Sequence, residues 1–225
     1  MSAKKAKTAP AASRTRGGKA AADPAARHYA GGVVDDIMVV GVGGQGVIVA
    51  AAIIADAALL HGGLEVKLSE TRGMSQRGGS VSSHIRIGAT VIAPSISPGE
   101  VDYLLAFEAA EGLRLAPSVV PGGVTIVNTQ QIVPPLAAQG EHSYPFDAVA
   151  RLDDGSRRLT VVDGNAVAAQ VGDLRVAGVV LVGALSTHLP FAVETWERAI
   201  ARNVPASWLE MNRAAFAAGR GVGDA

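Results

Sequence analysis

Two short stretches carry residue types at spacings that chemistry would need. Gly41-Val-Gly-Gly-Gln-Gly46 satisfies the GxGxxG pattern between a continuous apolar run, Ile37-Met-Val-Val40, and a helical stretch over residues 47–60. Glycines there allow a tight turn and close backbone approach, while unpaired N–H groups and the helix dipole favour an anion. The second stretch is Thr71-Arg-Gly-Met-Ser-Gln-Arg-Gly-Gly-Ser-Val81. Arg72 and Arg77 can grip phosphate or carboxylate in bidentate fashion. Ser75, Gln76 and Ser80 add hydrogen-bonding groups, Gly73, Gly78 and Gly79 leave the backbone bare, and Met74 adds an exposed apolar side chain. The candidate ligand-binding set is therefore Gly41, Gly43, Gly44, Gln45 and Gly46 facing Arg72, Gly73, Met74, Ser75, Gln76, Arg77, Gly78, Gly79 and Ser80.

The elements that must position these groups read as an α/β chain. Residues 37–40 form a buried strand, 47–60 a helix ended by Gly62, and 64–68 an alternating strand expected beside the first. The Arg72 to Gly79 loop then leads into another alternating strand over 80–87 with no intervening helix. Strands follow at 101–107, 124–128 and 159–163, with a helix at 108–115 and a turn at 119–123. Residues 130–158 are rich in Pro, Gly and charge and are expected to be irregular. The remainder is helical, over 166–171, 176–188, 193–203 and 207–218. The fold class expected is a doubly wound, Rossmann-like α/β sheet with C-terminal helices, spanning 35–220. In such a sheet the two glycine-bearing loops should meet in one crevice beyond the carboxyl ends of their strands.

Composition excludes several classes. Residues are 48% hydrophobic but only 4% aromatic, so Val, Leu, Ile and Ala must fill the core. With no cysteine, the chain can hold neither a disulfide nor a thiolate-bound zinc or iron–sulfur cluster. The five histidines show no paired metal-ligand spacing, and no metal site is expected. Apolar runs fall short of the roughly 20 residues of a membrane helix, and a cytoplasmic location without membrane or nucleic-acid partner is expected. The first 30 residues carry a net +6 and the rest −6. Residues 1–34 read as a disordered, basic, Ala-rich tail that lacks a secretory apolar segment.

An ordinary NAD domain would add an acidic residue at the end of the second strand, and Glu70 is the candidate. The chain then enters a loop and strand instead of a crossover helix, which counts against that reading. No catalytic residue is expected, because Ser75 and Ser80 have only His84, on the following strand, as a nearby histidine. Trp196 and Trp208 lie on amphipathic helices, where partner anchoring and ordinary packing are both open.

GVGGQG and RGMSQRGGSVSSHIRIG, followed by VVLVGAL and the ending EMNRAAFAAGR, resemble the gamma domain of 2-oxoacid:ferredoxin oxidoreductases. The GMSQRGGSV version is most similar to the beta (small) subunit of the indolepyruvate type. The resemblance implies a heteromeric complex that decarboxylates a 2-oxoacid with thiamine diphosphate, sends two electrons through iron–sulfur clusters to ferredoxin, and transfers the acyl group to coenzyme A. It also implies that thiamine diphosphate, magnesium and the clusters reside in a large partner subunit. This chain would help bind coenzyme A, through the two glycine-bearing segments, and close the active site. The rival readings are a self-sufficient NAD(P) or flavin oxidoreductase and a purely structural subunit.

Overall fold

The computed structural model describes residues 28–73, 79–138 and 143–223. One six-stranded sheet runs β2-β3-β1-β4-β5-β6, where β1 is Val34–Val42, β2 Glu65–Arg72, β3 Ser80–Gly88, β4 Val101–Ala106, β5 Val119–Asn128 and β6 Arg158–Val162. β1, β4, β5 and β6 pair in parallel, while β3 pairs antiparallel with both β1 and β2. Helix α1 (Val47–His61) follows β1, and α2 (Ala109–Leu115) follows β4. Two short helices, α3 (Pro135–Ala138) and α4 (Ala148–Leu152), interrupt the stretch between β5 and β6. Helices α5 (Gly164–Val171), α6 (Ala177–Ser186), α7 (Val193–Asn203) and α8 (Leu209–Gly223) complete the chain.

The apolar run of β1 is continuous because this strand is covered on both faces. Ile37 and Val39 enter a core shared with α1 and α5–α8, whereas Met38 and Val40 enter a second core shared with α2 and α4. β3 alternates instead: Val81, Ile85 and Ile87 face the first core and Ser82, His84 and Arg86 face away. Asp56, the one acid in the otherwise apolar α1, accepts from Asn203 Nδ2 at 2.8 Å and so ties α1 to α7. Helices α6 and α8 cross with their backbones almost touching, since a side chain on Gly219 would run into the Val180 carbonyl. The small residues of VVLVGAL thus serve packing.

The doubly wound expectation holds, with corrections. β2 does not lie beside β1, because the hairpin folds β3 back between them, giving Ile37↔Ile85 and Leu68↔Ile85 as neighbours. Arg72 is the last residue of β2 rather than the first of a loop, and residues 119–123 open β5 rather than forming a free turn. Ahead of residue 34, within the segment expected to be a tail, Tyr29 is buried and donates to Asp35 Oδ2 at 2.5 Å. The remaining tail residues, 1–27, lie outside the described residues. Among the described residues no helix is long and apolar enough to cross a membrane.

Candidate functional site

β1 and β4 are neighbours in the sheet, yet α1 leaves β1 toward one face and α2 leaves β4 toward the other. This is the switch point at which open α/β sheets bind ligands. The glycine turn sits there. Gly44 and Gly46 have φ of 99° and 88°, a left-handed backbone that a residue with Cβ resists, and Gly46 caps α1. Gly41, by contrast, is sealed in the packing: a Cβ there would come 2.8 Å from that of Phe107.

Gln45 sits at the centre of the arrangement. Its Oε1 accepts from Val42 N at 2.7 Å, and its Nε2 donates to Phe107 O at 3.0 Å and to Gln130 Oε1 at 2.9 Å. Asn128 Nδ2 also donates to Phe107 O, and Asn128 Oδ1 accepts from Gly164 N at 3.0 Å. Neutral amides thereby lock together the carboxyl ends of β1, β4 and β5 and the start of α5. Beside them, Glu108 is 1% exposed and accepts from Glu111 N, Ile132 N and the Tyr144 hydroxyl. Burial, and then the hydrogen bond to Glu108, push the Tyr144 phenol well above its usual range.

The amide network, but not Glu108 or Tyr144, lines a crevice of about 450 Å³, within the span typical of small-molecule sites. Its lining comes from Gly43, Gly44, Gln45 and Gly46 of the turn, from Phe107, Asn128 and Gln130 at the ends of β4 and β5, and from Asn165, Arg175 and Gly178 of the later helices and their connection. No group of three or more His, Cys, Asp or Glu that could hold a metal occurs among the described residues.

The hairpin reaches the glycine turn, although among the described residues none of its side chains lines this crevice. Gly79 O accepts from Gly43 N at 2.9 Å, and Ser80 Oγ donates to Glu111 Oε2 at 2.6 Å, a carboxylate also held by Arg114. The root of the loop is thus clamped to both the turn and α2. Gly73 N closes the hairpin onto Ser80 O at 2.8 Å. Arg72 is two strands away from β1 and pairs with Glu70 at 3.2 Å in solvent, so both stand apart from the crevice. Met74, Ser75, Gln76, Arg77 and Gly78 lie outside the described residues.

The crevice residues that sequence reasoning missed are Asn128, Gln130, Asn165 and Arg175. Their signals were faint: Asn128 ends an apolar strand, and Asp173-Leu-Arg175 lies just ahead of a mostly apolar helix. Trp196 is fully buried, which resolves it as packing, while Trp208 lies under the Arg175 guanidinium.

Residues 36–222 match the family model described as pyruvate ferredoxin/flavodoxin oxidoreductase. An indolepyruvate oxidoreductase subunit of Archaeoglobus fulgidus is 38% identical over 188 residues, covering 82% of this chain and 92% of that protein. The gamma subunit of a keto/oxoacid ferredoxin oxidoreductase from Geobacter sulfurreducens superimposes with a TM-score of 0.66 at 28% identity, over 84% of this chain and 98% of its own. The 2-oxoglutarate:ferredoxin oxidoreductase of Magnetococcus marinus, solved with 2-oxoglutarate, coenzyme A and succinyl-CoA bound, shares the fold. Its TM-score is 0.66 at 20% identity, over 85% of this chain and 31% of that one.

Proposed function

Because the chain belongs to the pyruvate ferredoxin/flavodoxin oxidoreductase family, we propose that it is the small subunit of an indolepyruvate-type 2-oxoacid:ferredoxin oxidoreductase and supplies part of its coenzyme A site. The observation that carries this reading is the glycine turn, opening with two left-handed glycines onto a crevice at the switch point of the sheet. Gly43 N is tied to Gly79 O and Gln45 N to Val42 O, and the rest of the turn offers its backbone and the positive end of α1 to the coenzyme's phosphates. With no cysteine the chain does not fit iron–sulfur clusters, and among the described residues no group of three or more His, Cys, Asp or Glu is placed to hold a metal such as thiamine-bound magnesium. Those groups belong to a large partner subunit, where the 2-oxoacid loses carbon dioxide and two electrons pass to ferredoxin. This chain orients the thiol that receives the acyl group and closes the site around it.

The dinucleotide alternative loses its motivation in the topology. Glu70, the residue that would bind ribose, lies on β2 with β3 between it and the glycine turn. The test separates the half-reactions in the two-subunit complex. Arg77→Ala should weaken coenzyme A use on the order of tenfold or more, as expected for a lost charge-assisted contact, and far more than it affects decarboxylation. Equal loss of both half-reactions sinks the proposal, and full activity after Gly44→Val would favour a purely structural subunit.

A further inference from the structure

Adjoining the polar crevice is a smaller compartment of about 260 Å³ walled mostly by carbon, from Val49 and Ala50 of α1, Val179 of α6, and Val204, Pro205 and Trp208 ahead of α8. The two spaces share Gln45, Gly46, Arg175 and Gly178, so they adjoin as a polar and an apolar arm with those residues at the corner between them. Arg175 stands at the corner. Its Nε and Nη2 donate to Asp173 at 3.0 and 2.8 Å, and its guanidinium lies 4.0 Å from the centre of the Trp208 ring. Those two supports hold the planar group in place before any ligand arrives. Nη1 makes no hydrogen bond among the described residues, and the side chain is 72% exposed.

We infer that Arg175 is a further phosphate contact of this site and that the apolar arm seats a purine ring, so that an adenosine phosphate ester lies across the corner. The inference rests on the coenzyme A reading and adds which half of the coenzyme goes where. A phosphate at the corner meets Arg175 on one side and the glycine turn on the other. The ring passes into the carbon-walled arm beside Trp208. Asn203, which also lines that arm, has both amide hydrogens committed, to Asp56 Oδ2 at 2.8 Å and Ala199 O at 2.9 Å. Asn212, on the same arm, commits its amide nitrogen to Trp208 O at 2.8 Å, so the two asparagines are left with side-chain oxygens, acceptors that suit the exocyclic amine of adenine rather than a carbonyl-edged base. The thiol-bearing half is then left to the polar arm, whose open side is where the partner's reaction centre would approach. Local cationic placement matters here because the chain beyond residue 30 carries a net −6.

The test uses the two-subunit complex and three probes: coenzyme A, pantetheine, which keeps the thiol arm but lacks the nucleotide, and adenosine bisphosphate as a competitor. Adenosine bisphosphate should compete with coenzyme A in the wild type. Arg175→Ala should raise the KM for coenzyme A on the order of tenfold, the loss expected for one charge-assisted hydrogen bond, and leave the KM for pantetheine unmoved. Val49→Phe should do the same by filling the apolar arm from a partly exposed helix position, without removing a core contact. If adenosine bisphosphate competes but both variants keep the wild-type preference for coenzyme A over pantetheine, the subsite is wrong and the coenzyme reading stands. Should adenosine bisphosphate fail to compete, and Gly44→Val alter neither KM, the coenzyme reading itself falls.

Discussion

The two ends of the sheet solve opposite problems with opposite chemistry. At the amino end, Asp35, Asp36 and Asp102 crowd together where β1 and β4 begin. Arg86 answers Asp36 with paired contacts of 2.7 and 2.9 Å, and Asp102 accepts from Asp36 N at 2.9 Å. Tyr29 and His28 complete the group by hydrogen bonding to Asp35. At the carboxyl end the buried connections come mainly from neutral amides, Gln45, Asn128 and Gln130, around bare glycine backbone. The most heavily charged buried cluster is therefore on the side of the sheet where α/β folds do not place ligands. Buried, mutually satisfied charges fasten the edge of the domain; weakly charged, preorganised amides leave room for a charged ligand.

Three substitutions probe that contrast. Asp36→Ala should have the largest effect, because it takes both carboxylate contacts from a mostly buried guanidinium and leaves it two carbonyls at 3.4 Å, and losses approaching about 3–5 kcal/mol follow from breaking such pairs. The urea midpoint reads this, and a loss well under 1 kcal/mol would show that the amino end is no clasp. Gln45→Ala comes next. It leaves the Val42 amide without its side-chain acceptor and should lower stability by about 1–3 kcal/mol while also raising the KM for coenzyme A. An unchanged KM in a destabilised protein would separate the amide network from the crevice. Asp102→Asn should have the smallest effect, and of opposite sign. Burial first, then the negative charges of Asp35 and Asp36, hold the Asp102 carboxyl above its ordinary value of 3.8. A raised carboxyl favours folding fully only below the unfolded value, and that contribution is lost as pH rises through the folded one. Asparagine keeps an acceptor for Asp36 N and abolishes the ionisation, so the variant should be more stable than wild type at pH 7. That gain should shrink toward pH 3.8 and below, and a gain independent of pH would contradict this account.

Much of the local scaffold was legible in the residues. The strand, turn and helix from Val34 to His61 follow from an apolar run, four glycines and a second apolar run, each acting over a few positions. The hairpin's strands were legible as well, but their order was not. Alternation specifies which face of β3 is buried and says nothing about whether β2 or β3 will pair with β1. In residues 130–158, Pro and Gly made the irregular path legible, but not the burial of Glu108 under Tyr144 from that path.

What the sequence by itself determined is the glycine turn, its neighbouring elements and the family to which the two motifs point. Tertiary structure decided what the turn faces. Gln45 reaches partners 62 and 85 residues away, and Arg175 enters the site from the far half of the chain. The physical reason is the range of the forces that leave a sequence signature. Backbone sterics and hydrophobic periodicity act between near neighbours and so appear as patterns. A crevice forms only when distant strand ends are brought together by packing, which no local spacing records.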